Sequence, residues 1–190
     1  MILVLFVLIF AVVAGLVSGG RMERLATLKI RWAPLALLGL ALQYFSPSRG
    51  TWPYALLMLS FALLAAFAIA NVKVAGFALI LAGITMNFLV IAINHGMPVT
   101  EHALVASGQQ DTYEELVLRG GQKHHLAGPD ERLLFLGDVT PIPPPVHQVV
   151  SAGDVVAYAG VAWVVIAAMR RRDTTPVRDP VLEFEGASGG

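Results

Sequence analysis

Five apolar runs, at about residues 2–18, 32–46, 53–72, 74–94 and 153–169, dominate the chain, and Asp154 is the only charged residue within them. A bilayer core of ~30 Å is crossed by about 20 consecutive helical residues, so runs of this kind are read as transmembrane helices. The third and fourth runs meet that length. The first, second and fifth fall a few residues short, which local thinning, flanking anchors or longer neighbours can accommodate. The second is the shortest, and a re-entrant turn there would put everything after it on the opposite side.

Composition agrees with the runs. The 190 residues are 56% hydrophobic and 14% charged, with a mean hydropathy of +0.70, whereas charged residues make up roughly 25% of a soluble domain. The expected fold is therefore all-α: a polytopic integral membrane bundle of about five transmembrane helices in one domain, residues 1–170. Residues 171–190, with prolines, mixed charge and a Gly-Ala-Ser-Gly-Gly end, read as a disordered cytoplasmic tail. Formal net charge is zero, so no global field draws the chain to nucleic acid. There is no cysteine, which removes disulfides, thiol nucleophiles and cysteine metal sites.

Lysine and arginine set the sidedness. With five spans, Arg21, Arg24, Lys29, Arg31, Lys73, Arg170, Arg171, Arg172 and Arg178 share one face, and only Arg49, Arg119, Lys123 and Arg132 reach the other. The positive-inside rule then places the N-terminus outside, the C-terminus in the cytoplasm and the loop at about 95–150 on the extracytoplasmic side. The first run has no basic segment before it, so it reads as a retained helix and not a cleaved signal. Trp32, Trp52, Tyr54 and Tyr158 lie near span ends, as interfacial aromatics do. Between the first two spans, Met22, Leu25 and Leu28 alternate with basic residues. That is the pattern of a positive-inside anchor or of a short helix on an anionic leaflet.

The long loop carries most of the pattern. Asp111-Thr-Tyr-Glu114 resembles a capping box opening a short helix that Gly120-Gly121 ends. Gly128-Pro129-Asp130 marks a turn. The apolar Leu133-Leu-Phe-Leu136 is followed by Gly137-Asp138 and the stiff Pro141-Ile-Pro-Pro-Pro145. Four such apolar side chains contribute roughly 6–10 kcal/mol if fully buried, so this stretch is expected to dock as a lid on span ends.

Candidate functional residues are few. All five histidines, His95, His102, His124, His125 and His147, lie in the loop, but without the spacing of a metal motif. No metal site is expected, and no cofactor. Gln43, Asn71, Asn87 and Asn94 are the notable amides at or within spans; such groups commonly join helices, at roughly 0.6 kcal/mol each. Asn87, Asn94 and His95 are the candidate binding residues facing the loop side. Asp154 begins the fifth span in Ser151-Ala-Gly-Asp154. A carboxylate there is either a capping-box residue favoured by the helix dipole or a functional group at the membrane boundary. If the lid folds back, Asp138 would meet Asp154, and two carboxyls sharing one proton can activate water. Asp154 and Asp138 are thus the candidate catalytic pair.

Several of these stretches together resemble an uncharacterised bacterial membrane-protein family, the domain-of-unknown-function family numbered 5317. They are Gly19-Gly20-Arg21 with Leu25 and Leu28, Asn87 followed by Asn94-His-Gly-Met-Pro98, Leu136-Gly-Asp138 with prolines, and Ser151-x-Gly-Asp154. The likeness spans about residues 1–170 and implies the architecture, but no activity. A fainter likeness is to lipoprotein signal peptidase, an intramembrane aspartyl protease whose last helix opens Asn-x-Ala-Asp and reaches Gly six residues on, as Asp154 reaches Gly160 here. That family's second catalytic Asp falls three residues after its Gly-Asn, where this chain has Val90 after Asn87; Asp138 would have to replace it.

The resulting expectation is a bacterial plasma-membrane protein acting as a non-catalytic accessory or as a lipid- or ligand-binding module. Its partners would be the bilayer and a lipid or another membrane protein. The alternative is a membrane hydrolase using Asp154 with Asp138. A transporter is disfavoured by the scarcity of intramembrane charge and the lack of a visible repeat.

Overall fold

A computed structural model describes residues 2–45, 52–121 and 123–171. Arg49, Arg172, Arg178 and nearly all of the expected tail lie outside them. The five apolar runs form five helices: α1 (Ile2–Val17), α2 (Ala33–Phe45), α3 (Pro53–Ala70), α4 (Phe77–Asn94) and, last in the chain, α7 (Ala152–Arg170). Between α4 and α7 the loop folds as β1 (Met97–Val99), α5 (Glu101–Ala106), α6 (Gln110–Arg119), β2 (His124–Leu126), β3 (Thr140–Ile142) and β4 (Gln148–Val150). The protein is mostly helical, with α3, α4 and α7 each long and apolar enough to cross a membrane.

The helices pack in the spatial order α1, α7, α4, α3, α2. Local chemistry sets their ends. Pro53 starts α3, where its fixed φ suits the first turn and its missing N–H is no loss. Gly76 at φ +93 turns the chain into α4. His95, in the left-handed region at φ +57, closes α4 just ahead of Pro98.

The two ends of the bundle differ. At one end Arg31 and Asn71 pair reciprocally: the Asn71 amide donates to the Arg31 carbonyl at 2.8 Å and accepts from the Arg31 N–H at 2.8 Å. Arg21 N–H donates to the Met169 carbonyl at 2.9 Å, so Arg21, Arg31, Lys73 and Arg170 all belong to this basic end. At the other, loop end the same amide geometry recurs between Asn94 and the backbone of Arg132, at 2.8 and 3.0 Å. The Lys123 ammonium there donates to the Gln43 carbonyl at 2.6 Å. α2 therefore runs from the basic end to the loop end and is not re-entrant, although 13 residues give only about 20 Å of helix.

The loop is docked. Leu133 and Leu136 pack on the core of Leu57, Phe61, Val90, Ile91 and Met97, while Phe135 faces outward, 68% exposed. β1 pairs with β2 in parallel, setting Met97 opposite His124, and β3 pairs with β4 as an antiparallel hairpin. These short strands are additions to the expected all-α plan; the prolines after Thr140 become one arm and the turn of that hairpin. One local expectation changes. α6 starts one residue before Asp111 and Gln109, with no side-chain cap, precedes it, so Asp111 is a first-turn acid and not a capping residue. The segment after α1 is a short 3-10 helix, Met22–Thr27, and Arg21 just before it is hydrogen-bonded to the end of α7.

Candidate functional site

The site grows from the N-terminus of α7. Ser151 is its N-cap: the hydroxyl accepts from Asp154 N–H at 3.0 Å, and Asp154 Oδ2 accepts from Ser151 N–H at 3.1 Å. Each bond satisfies an orphan amide of the first turn, so the expected capping box is present. α4 then adds Asn87. Its amide donates to Asp154 Oδ1 at 2.7 Å, and its carbonyl accepts from the Ser151 hydroxyl at 2.8 Å. Asp154 is thus both a cap and part of a polar knot between two helices.

Glycine makes the knot possible. A Cβ at Gly153 would overlap Asn87 Oδ1 and lie 2.7 Å from the Gly83 carbonyl oxygen, so only glycine lets the Asn87 side chain reach the α7 N-terminus.

Above the knot the loop delivers Asp138. Its N–H donates to the Pro98 carbonyl at 3.0 Å and its carbonyl accepts from Thr100 N–H at 3.2 Å, which holds the residue beside β1. Asp138 is 8% exposed. Burial, and secondarily the negative charge of Asp154, push its carboxyl up to about 8, so it is protonated at neutral pH. His124 stands beside it, Nε2 lying 3.6 Å from Asp138 Oδ2, a separation too long for a hydrogen bond.

These groups share a cavity of about 200 Å³. Asn87, Asp138, Asp154, His124, Lys123 and Gln43 supply its polar wall, and Leu57, Phe61, Ile91 and Met97 the apolar one. Asp138 and Asp154, which lie 16 residues apart in the chain, thus face one space together with Asn87.

The two other candidate binding residues are elsewhere. Asn94 fixes the loop at Arg132, and His95 stacks on Tyr54 of α3 with ring centroids 5.5 Å apart; neither lines the cavity. The histidines occupy separate settings: His125 Nε2 lies 2.8 Å from Glu131, and His147 Nδ1 donates to the Ser107 carbonyl at 3.1 Å. Among the described residues no three metal-ligating side chains converge. Gln43, Lys123 and His124, which line the cavity, and Ser151, which supports it, were not among the candidate site residues of the sequence. Only Ser151 carried a readable signal there, through its Ser-x-x-Asp spacing.

A family model covers residues 27–166, well over half of the chain and all of the elements that build the cavity. The protein belongs to DUF5317, a family of unknown function. No curated protein and no solved structure matches it. The matched residues include Leu28 and the stretches from Asn87 to Asp154, while Gly19-Gly20-Arg21 and Leu25 lie outside them, and the local likeness to lipoprotein signal peptidase finds no support.

Proposed function

We propose that this DUF5317 protein is a multi-pass protein of a bacterial plasma membrane that binds a small ligand in the loop-end cavity and performs no chemistry on it. The N-terminus and the loop face outward and the C-terminus faces the cytoplasm. The clustering of arginine and lysine at the opposite end of the bundle supports that orientation.

One observation carries the binding reading: Asn87, Asp138 and Asp154, from three separate parts of the sequence, meet on a single cavity with apolar walls. A few convergent polar groups on an apolar lining are the usual make-up of a ligand site. At about 200 Å³ the space is smaller than the ~300–1,000 Å³ of drug-sized clefts. It suits a small molecule and leaves no room for a polypeptide strand. Asp154, with both oxygens already accepting hydrogen bonds, is a fixed acceptor there.

The hydrolase reading keeps one specific support, the raised Asp138 carboxyl beside the charge of Asp154. Native mass spectrometry of protein taken gently from its membranes separates the two. Binding requires a discrete small-molecule adduct on the wild type that Asp138→Asn weakens without any turnover. A bare chain, under conditions that keep bound lipid, would count against it. Conversion of the adduct to a hydrolysed product by the wild type alone would establish the hydrolase.

A further inference from the structure

A second chamber, of about 340 Å³, lies in the loop beneath α6. Its rim includes Thr112 and Glu115, which are exposed, and its floor reaches Val99 and Leu104, each 3% exposed. Lys123, His124 and Asp138 line both this chamber and the inner cavity. The two spaces are therefore separated by one layer of side chains.

We infer that this chamber is the entrance and outer compartment of the binding site, and that the ligand is a water-soluble molecule bearing hydroxyl or amino groups rather than a bilayer lipid. The inference rests on the ligand-binding reading and adds its route and chemical class. On the helix side, the inner cavity is bounded by Leu57, Phe61 and Ile91, all under 9% exposed, which close it toward the bilayer. On the loop side the partition includes His124, whose side chain is 56% exposed. The His124 backbone is fixed by β1–β2 pairing, so a change of side-chain rotamer opens the partition without moving the strand.

The outer compartment also holds a polar atom that wants a donor. Gln148 Oε1 is buried there and accepts no hydrogen bond among the described residues. A buried acceptor of that kind is normally satisfied, and an N–H or O–H of a solute in the chamber would satisfy it. Glu115 and Thr112 on the rim add further acceptors for such a solute.

The chain has no cysteine, so a single one reports access. Ile91→Cys places a thiol on the inner cavity, and Met97→Cys does so independently should the first fail to fold. The probe is 2-aminoethyl methanethiosulfonate, a small water-soluble amine, added to protein in lipid nanodiscs. Filling the outer chamber with Thr112→Trp should slow modification by about tenfold, the effect of a modest added barrier. His124→Ala should speed it. Unchanged rates in the Thr112→Trp background, or a thiol that stays unreactive in His124→Ala, overturn the entrance. Neither outcome depends on whether a natural ligand is found, so the binding reading stands or falls separately.

Discussion

α4 and α7 touch from Gly76 and Gly160 at one end to Asn87 and Asp154 at the other, but the two halves of that contact are built differently. Toward the basic end, Gly160 packs on Gly76 and Ile80, and Phe77 and Val164 close with Ala68 into an apolar cluster. Toward the loop end, Gly83 and Gly153 allow an equally close approach, yet the space between is filled by Asn87, Ser151 and Asp154. The apolar half reaches the same close approach with no polar side chain between the helices. Hydrogen bonds between spans average only about 0.6 kcal/mol, while drawing a carboxylate even partly out of water, as at half-buried Asp154, carries a desolvation cost. The polar half is thus better explained by the cavity it borders than by adhesion.

The largest effects come from the feature the halves share. Gly153→Ala and Gly160→Ala should each destabilise the protein by about 3 kcal/mol, because a methyl group meets backbone or the Asn87 amide. Thermal unfolding in detergent measures both. If either alanine is tolerated, the close approach in that half is not real.

Asn87→Leu sharpens the contrast. It strips the acceptor from the Ser151 hydroxyl and a donor from Asp154, and should cost about 1–2 kcal/mol. A stabilised variant would mean that the knot is sustained purely for function, at the expense of the fold. A loss above that of the glycine variants would mean that it holds the helices after all.

The third expectation is a pH slope. Asp138 titrates at about 8 in the folded protein, against an ordinary value of 3.8. The folded state therefore keeps a proton that the unfolded chain releases. Stability from this group is complete below about pH 4 and declines as pH rises toward about 8. Asp138→Asn should flatten that part of the melting-temperature profile relative to the wild type. Parallel profiles would contradict the burial of this carboxyl.

Much of the bundle was legible because bilayer thickness leaves so few choices. The five apolar runs became five helices within a few residues, and the division of Arg31 and Lys73 from Lys123 and Arg132 between two ends follows the charge pattern. The docking of Leu133 and Leu136 was readable for a similar reason, since an apolar run in a wet loop must find cover. The site was only partly visible. Ser151 and Asp154 announce themselves by local spacing, Asn87 by being polar within a span, and Asp138 only through a lid expected to fold back on Asp154. What no local pattern reveals is convergence. The β1–β2 pairing brings His124 alongside Met97, and with it the wall between the two chambers, through contacts distant in sequence. For the same reason nothing local separates Asn94 and His95, equally polar and equally near, from Asn87: only the tertiary contacts give Asn94 to the loop and His95 to Tyr54.

The smallest expected change in stability belongs to Asp154→Asn, whose effect on ligand is expected to be the greatest. Ser151 remains the N-cap of α7 in Asp154→Asn, and the carbonyl of the new side chain keeps one of the two hydrogen bonds that Asp154 accepts, so the variant removes the carboxylate that faces the cavity at the loss of one hydrogen bond, about 1 kcal/mol. The melting temperature of this variant should stay within a few degrees of the wild type, while native mass spectrometry shows the small-molecule adduct gone or sharply reduced. An Asp154→Asn protein that retains the full adduct would contradict the account and leave Asp154 as a helix cap alone.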